Sequence, residues 1–293
     1  MDRVTIATRR SPLALAQTSR VAATLRAHGM EVGLLELVTT GDRWSANGGS
    51  GATRGLFVKE LEEALLDGRA DLAVHSAKDL PAVLPPGLGI VAVPRREDPR
   101  DVVVGPAGGL DALPDGAIVG TGSPRREMQL RLRHPNLTFR EIRGNVGTRI
   151  AKLHDGEFDA IILAAAGLNR LNMAPPNTTP LAIEDCVPAP GQGALALEGR
   201  IGRPELFAAT ECLHDTLSGR CLEVERTVLT RLGGGCREPI GALAQADGDD
   251  LRLHVFAATE DGSHHTRVTS TVSDLNSDEI ARIVERVQGD IAT

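Results

Sequence analysis

Apolar residues fall at alternate positions in short runs and at every third or fourth position in longer ones, the two spacings that separate strands from amphipathic helices. Val4–Thr8 is predicted as a strand, and Ser11–His28, with Leu13, Leu15, Val21 and Leu25, as a helix. Val32–Val38 is predicted as a second strand. Beyond the Gly/Ser-rich stretch Gly41–Gly55, a helix over Leu56–Leu66 leads into a strand at Ala70–His75. The theme then repeats, with strands at Ala117–Gly120, Leu137–Ile142 and Phe158–Ala164 and helices at Arg125–Arg133 and Asn145–His154. Such alternation predicts an α/β fold with parallel sheets covered by helices. From about Leu213 the pattern changes to a helix (Thr216–Leu232), strands at Ile240–Gln245, Leu251–Thr259 and Arg267–Val272, and a closing helix (Ser277–Val287). This predicts a separate small α+β domain.

Asp67-Gly-Arg-Ala-Asp-Leu-Ala-Val returns as Asp155-Gly-Glu-Phe-Asp-Ala-Ile-Ile, 88 positions later. Both segments place a glycine where a helix ends and buried apolar residues where a strand begins. Two explanations stand: any helix-to-strand connection has this form, or the chain holds two similar α/β lobes facing across a cleft. Pro94–Asp101 and Val187–Gly193 are the candidate hinges, by which the chain leaves the first lobe, builds the second and returns.

Composition narrows the class. The 293 residues are 41% hydrophobic and 24% charged, which excludes disordered, collagenous and coiled-coil chains and suits two or three domains. Apolar runs such as Ala160–Ala166 fall far short of a membrane span. The start, Met-Asp-Arg-Val-Thr-Ile, lacks the pattern of a secretory signal. Four cysteines without a Cys-x-x-Cys pair predict reduced thiols in the cytoplasm and no structural zinc. His264-His265 would point to opposite faces of a strand, so no metal site is expected. A net charge of −7 and an aromatic content of 2%, with no tyrosine, exclude a general nucleic-acid binder.

Against that acidic balance, Val119–Lys152 holds Arg125, Arg126, Arg131, Arg133, Arg140, Arg143, Arg149 and Lys152, opposed only by Glu127 and Glu141. Charge runs of this kind are usually solvated helix faces. Here, however, Gly120-Thr-Gly-Ser-Pro-Arg-Arg126 lies where a strand ends and a helix begins, with Ser123 suited to the N-cap and Pro124 to the first turn. A helix N-terminus offers free N–H groups and partial positive charge to an anion. Arg143-Gly-Asn-Val-Gly-Thr-Arg149 repeats the arrangement, as does Arg9-Arg-Ser-Pro-Leu13 in the first lobe. Three such junctions point to a polyanion at the strand C-terminal ends, and arginine forks suit carboxylates as well as phosphates. No phosphate-cradling Gly-x-x-x-x-Gly-Lys-Ser/Thr loop is present.

His75-Ser-Ala-Lys78-Asp79 follows a predicted strand. Lys78 and Asp79 are either a surface pair or a carboxylate set among cations, a setting that favours its ionised form and suits it to stabilise a developing cation or move a proton. Cys236, after three glycines, is either a plain loop cysteine or a thiolate favoured by nearby arginine. Cys186, Cys212 and Cys221 read as ordinary buried or half-buried thiols.

Seven motifs, in order and spanning nearly the whole chain, resemble the porphobilinogen deaminase (hydroxymethylbilane synthase) family. They are Arg9-Arg-Ser-Pro-Leu-Ala-Leu-Ala-Gln17, Gly55-Leu-Phe-Val-Lys-Glu-Leu61, His75-Ser-Ala-Lys-Asp79, Ser123-Pro-Arg-Arg126, Arg143-Gly-Asn145, Pro190-Gly-Gln-Gly193, and Glu225-Arg226 followed by Gly234-Gly-Cys236. The resemblance implies two lobes of the periplasmic-binding-protein type, 1–96 with 191–212 and 97–190, and a cofactor-anchoring α+β domain over 213–293. It implies a dipyrromethane cofactor held as a thioether on Cys236. It also implies the head-to-tail condensation of four porphobilinogen molecules, each losing ammonia, before water releases hydroxymethylbilane. Arg9, Ser11, Lys78, Ser123, Arg125, Arg126, Arg143, Arg149 and Gln192 would bind cofactor and substrate carboxylates. Asp79 would contact pyrrole N–H groups and stabilise the azafulvene cation. Arg54 and Lys59 would belong to a mobile loop over the site, and the protein would be a monomer.

Four positions depart from the family pattern: Arg54 for a lysine, Gly122 for a hydroxyl residue, Ala77 for a methionine and Glu238 for an apolar residue. None removes a group the chemistry requires. The competing reading is a non-catalytic bilobal binding protein for a small polyanion. The start of the sequence, the third domain and the Gly-Gly-Cys segment weigh against it.

Overall fold

A computed structural model describes residues 1–41, 58–233, 239–273 and 277–292. Of the groups singled out above, Arg54, Cys236 and Glu238 lie outside the described residues, as does most of the Gly41–Gly55 stretch. The chain divides into two compact units, Met1–Glu97 with Ala194–Leu222, and Asp98–Gly193 with Glu223–Thr293.

The first unit is built on β1 (Arg3–Arg9), β2 (Glu31–Leu37), β3 (Leu72–Ser76), β4 (Leu88–Ala92) and β10 (Leu195–Arg200), in the sheet order β2-β1-β3-β10-β4. Helix α1 (Pro12–Ala27) covers one face, where Ile6, Leu72 and Leu197 meet Val21 and Leu25. Its start follows from its sequence: the Ser11 hydroxyl accepts the Ala14 N–H at 3.3 Å and Pro12 opens the helix. Its buried stripe is Ala14, Gln17, Thr18, Val21, Ala22 and Leu25, so Leu13 and Leu15 lie at its margin rather than at its centre. Helix α2 (Lys59–Leu66) covers the opposite face with Leu61, Ala64 and Leu65 against Ala7 and Ala73.

The second unit repeats that order with β5 (Asp101–Val104), β6 (Ile118–Gly120), β7 (Thr138–Arg140), β8 (Ala160–Ala164) and β9 (Thr178–Pro180), arranged β7-β6-β8-β5-β9. Helices α3 (Pro124–Arg133), α4 (Val146–His154) and α5 (Ala165–Arg170) accompany it. In each unit the first three strands run parallel, and the next joins antiparallel: β10 on β3, β5 on β8. The sheets are therefore mixed, which corrects the all-parallel expectation. Strands β5 and β10 follow the two passages of the chain between units. Each arrives without a preceding crossover helix, the connection that joins parallel neighbours in a sheet.

The echo at Asp67 and Asp155 has a common structural basis. Gly68 and Gly156 adopt left-handed φ values of 80° and 76° directly after a helix. The Asp71 carboxylate then accepts the Thr5 N–H at 2.9 Å, and that of Asp159 the Ile118 N–H at 2.7 Å, each tying the incoming strand to its parallel neighbour.

Helix α6 (Pro204–Thr210) and helix α7 (Thr216–Arg231) follow, then an antiparallel sheet of β11 (Gly241–Asp247), β12 (Asp250–Ala258) and β13 (His265–Val272), and the closing helix α8 (Ser277–Ala292). Among the described residues no helix is long and apolar enough to cross a membrane, and no group of three or more His, Cys, Asp or Glu side chains is placed to hold a metal ion.

Candidate functional site

In the first unit the ends of β1 and β3 and the start of α1 enclose a small cavity lined by Arg9, Ser11, Gln17, His75, Ser76 and Asp79, with Val58, Val74, Leu13 and Ala14 as its apolar wall. β3 ends in a single 3-10 turn over Ala77–Asp79, which sets Asp79 at the cavity. Buried Ala77 and Leu80 anchor that turn. Asp79 and Lys78 are half-buried, so neither is a purely surface residue. Gln17, 3% exposed, donates to the Ser76 hydroxyl at 2.8 Å and stiffens the lining. Lys59 opens α2 as an exposed residue 3.8 Å from Glu63.

In the second unit the run of basic residues divides in two. Arg131 pairs with Glu127 at 2.6 Å, Arg133 with Asp185 at 3.2 Å, and Arg140 lies over the Phe158 ring, all at the surface. Arg125 and Arg126 instead turn inward and are 5% and 6% exposed. Asp101, fully buried, accepts Arg125 at 2.8 Å, the Nε and Nη2 of Arg126 at 2.9 and 2.7 Å, and the Gln192 amide at 2.8 Å. Burial alone would raise the Asp101 pKa, but the two guanidiniums overcome it and hold the carboxyl well below the usual carboxylate range. Gln192 also donates to the Pro99 carbonyl at 2.7 Å. Two of the predicted ligand arginines and the predicted ligand amide thus meet on one internal carboxylate.

Ser123 occupies the N-cap of α3, but its side chain makes no capping bond and the hydroxyl is not spent on the helix. Asn145 caps α4 by accepting the Thr148 N–H at 2.9 Å. Arg143 pairs with Glu141, and Arg149 donates to the Gly144 carbonyl at 2.8 Å. The Arg149 pKa is lowered to about 10, first by burial and then by repulsion from Arg126 and Arg143, with Glu141 opposing.

Among the cysteines, Cys186 is buried 3.4 Å from both Asp101 and Arg125, and its thiol is pushed up to about 12 by burial and then by Asp101. Cys221 is buried, whereas Cys212 is exposed, which corrects its reading as a buried or half-buried thiol. The sequence reading missed Asp101 and the structural role of Glu225. Glu225, fully buried on α7, accepts the Gly191 N–H at 2.7 Å and the Ala244 N–H at 2.8 Å, tying the Gln192 loop to β11. A charged residue inside an apolar strand (Asp101) or helix face (Glu225) was the available signal.

The second unit meets the demands of a polycarboxylate. Arg149 is repelled by Arg126 and Arg143, the buried Nε–H of Arg125 has no acceptor, and the Ser123 hydroxyl is not used as a cap. A dipyrromethane, which carries an acetate and a propionate on each ring, would answer all three.

Residues 4–208 match the family model for the dipyrromethane-cofactor-binding domain of porphobilinogen deaminase, and residues 220–289 match that for its C-terminal domain. Relatives named porphobilinogen deaminase include that of Burkholderia thailandensis, 48% identical over 268 residues (89% of this chain, 80% of that protein). That of Thiobacillus denitrificans is 46% identical over 271 residues (90% and 87%). That of Chromobacterium violaceum is 48% identical over 271 residues (90% and 86%). More remote solved structures include the periplasmic VFT2 domain of BvgS from Bordetella pertussis, 20% identical over 72% of this chain and 86% of that one, TM-score 0.43. The methionine binding protein MetQ is 12% identical over 72% and 95%, TM-score 0.44.

Fold, site and relatives define a transferase that works with a dipyrromethane cofactor. The chain belongs to the porphobilinogen deaminase family. The reading as a non-catalytic binding protein finds no support in these relatives.

Proposed function

We propose that the two residue sets above divide the work of hydroxymethylbilane synthesis, the stepwise deaminating condensation of four porphobilinogen molecules followed by hydrolytic release. The observation that carries this reading is the match of both family models across the chain, joined to a carboxylate cavity in one unit and an arginine cluster in the other. Cys236 would hold the dipyrromethane as a thioether, and the bound group would supply the primer for the first condensation.

In the second unit Arg143, Arg149 and Ser123 bind carboxylates directly, Ser123 through a hydroxyl that the helix does not use as a cap. Arg125 and Arg126 add positive potential from their buried pair with Asp101. Gln192 keeps Asp101 oriented, a refinement of its expected ligand role. In the first unit Arg9, Ser11 and Lys78 orient the substrate carboxylates. Asp79 accepts the pyrrole N–H, stabilises positive charge as ammonia departs, and holds or returns the proton exchanged there. Lys59, exposed at the start of α2, adds positive charge for the incoming carboxylates. Residues 213–293 serve as the cofactor-anchoring domain, with 1–96 and 191–212 as one lobe and 97–190 as the other. The protein works as a cytoplasmic monomer on a small-molecule substrate, without nucleic acid or membrane.

Intact-protein mass spectrometry with peptide mapping tests the assignment. The peptide containing Cys236 is expected to carry the mass of two linked pyrrole units, acquired from porphobilinogen if the protein is isolated without it. Cys236→Ser should abolish the adduct and turnover together. A Cys236 that stays bare after incubation with porphobilinogen rejects the anchor, and an adduct retained in Cys236→Ser moves it elsewhere.

A further inference from the structure

Behind the Asp79 cavity lies a group of titratable side chains that the mechanism above does not use. His75 on β3 and Glu198 on β10 belong to neighbouring antiparallel strands, in register through the pairs His75↔Ala196 and Ala73↔Glu198. Both therefore project to the face covered by α2. The imidazole Nε2 lies 3.0 Å from Glu198 Oε2, with side chains only 4% and 0% exposed. Neither carboxylate oxygen of Glu198 has a well-aligned hydrogen-bond partner, and a buried oxygen of Glu62 on α2 lacks one as well.

The buried Glu198 carboxylate, the buried His75 imidazole and the half-buried Glu62 carboxylate near both cannot all carry their full charge without large cost. Burial, then Glu198, raise the Glu62 pKa to about 6, while His75 opposes them. The cluster is the natural place for an extra proton at neutral pH. His75 also forms part of the lining of the cavity that holds Asp79, so one member of the cluster reaches the site.

The charged neighbours come from four elements, and α2 adds Glu60, whose Oε2 is also buried. Glu198 faces the imidazole from β10 and Glu62 from α2, while Arg9 of β1 and Asp79 of the 3-10 turn share the cavity wall, with Lys78 beside Asp79. Arg200, two residues along β10, is turned to the carbonyls of Leu65 and Ala70. The His75 imidazole, 3.0 Å away, is the group that answers the Glu198 charge.

We propose that His75 and Glu198, with Glu62 as third member, form a buried proton-sharing cluster whose charge state sets the pH range over which the Asp79 cavity works. His75 is a positioning residue here, acting on the field at Asp79. The inference rests on Asp79 serving as the carboxylate of the condensation reaction.

The test combines kinetics with a readout independent of turnover. Glu198→Gln and Glu62→Gln preserve shape and remove one negative charge each. Each is expected to move the acid limb of the kcat/KM profile for porphobilinogen to lower pH by about half a unit or more, about a threefold change in proton affinity. In 15N NMR of the holoenzyme at a fixed pH near neutrality, the ring-nitrogen shifts of His75 should change in Glu198→Gln, marking a changed tautomer or protonation state. A profile that stays in place in both variants, with unchanged imidazole shifts, overturns the proposal. So does a variant that loses stability with its profile unmoved, the mark of a packing role. If wild-type protein releases no linear tetrapyrrole, the reaction assignment fails instead, and the NMR comparison still decides whether the cluster shares a proton.

Discussion

Asp101→Asn should lower folding stability by about 3–5 kcal/mol, because it removes one partner of a buried ion cluster and leaves two guanidiniums uncompensated. Asp101 is fully buried and takes both Arg125 and Arg126, themselves almost without exposure. Asparagine matches the shape and keeps an acceptor, so the loss is one of charge rather than of packing. The expected readout is a lower urea midpoint with an unchanged slope. A midpoint equal to that of wild type would show that the pair contributes little. Replacing Arg126 by Gln in the same chain should recover part of the loss, since it removes one of the stranded charges. The pH dependence has a definite sign. A carboxyl whose folded pKa is depressed contributes stability above its unfolded value, 3.8, and that contribution disappears as the pH falls toward the folded value. The Asp101 contribution is therefore complete at neutral pH and lost only in strong acid, and the asparagine variant should lack that acid-side decline.

Asp79→Ala should reduce turnover by about 100- to 10,000-fold while leaving the protein folded. Asp79 is half-buried at the end of a 3-10 turn whose anchors are Ala77 and Leu80, so removing its carboxylate costs no core contact. It faces a cavity whose other polar groups, Arg9, Ser11, Gln17, His75 and Ser76, are cationic or neutral. None of these can stabilise a developing cation as a carboxylate does. The variant should still acquire its two-pyrrole adduct, or show the adduct after supply of preformed product, with the defect confined to elongation. Near-normal kcat in Asp79→Ala would sink the assigned role. A protein that fails to unfold cooperatively would instead place Asp79 among the structural residues.

The antiparallel strands were the part of the fold least legible in the sequence. β1 to β3 and β6 to β8 carry helices between them, and the change from a period of two to one of 3.6 marks each boundary. β5 and β10 sit beside proline- and glycine-containing passages and have no such contrast. Their pairing was decided by which sheet edge each returning segment reached. The site divides in the same way. The motifs at Arg9, Asp79, Ser123 and Arg143 are local, because each is a strand end followed by a turn or helix start, and local chemistry specifies such junctions.

What remained hidden was which charges satisfy one another. Arg125 and Arg126 read as ligand-binding residues because they follow Ser123-Pro124 at a helix start. Their actual partner, Asp101, lies about two dozen positions earlier and comes within 2.8 Å only when β5 joins β8. His75 and Glu198, 123 positions apart in the chain, meet by the same means through β3 and β10. By itself the sequence determined the helix-flanked α/β elements and the acidic and basic strand-end junctions. Only the tertiary structure decided which arginines are consumed internally and which proton-bearing groups share a buried space. Pairing of that kind depends on distance after folding, and low dielectric makes such contacts strong without leaving any periodic trace along the chain.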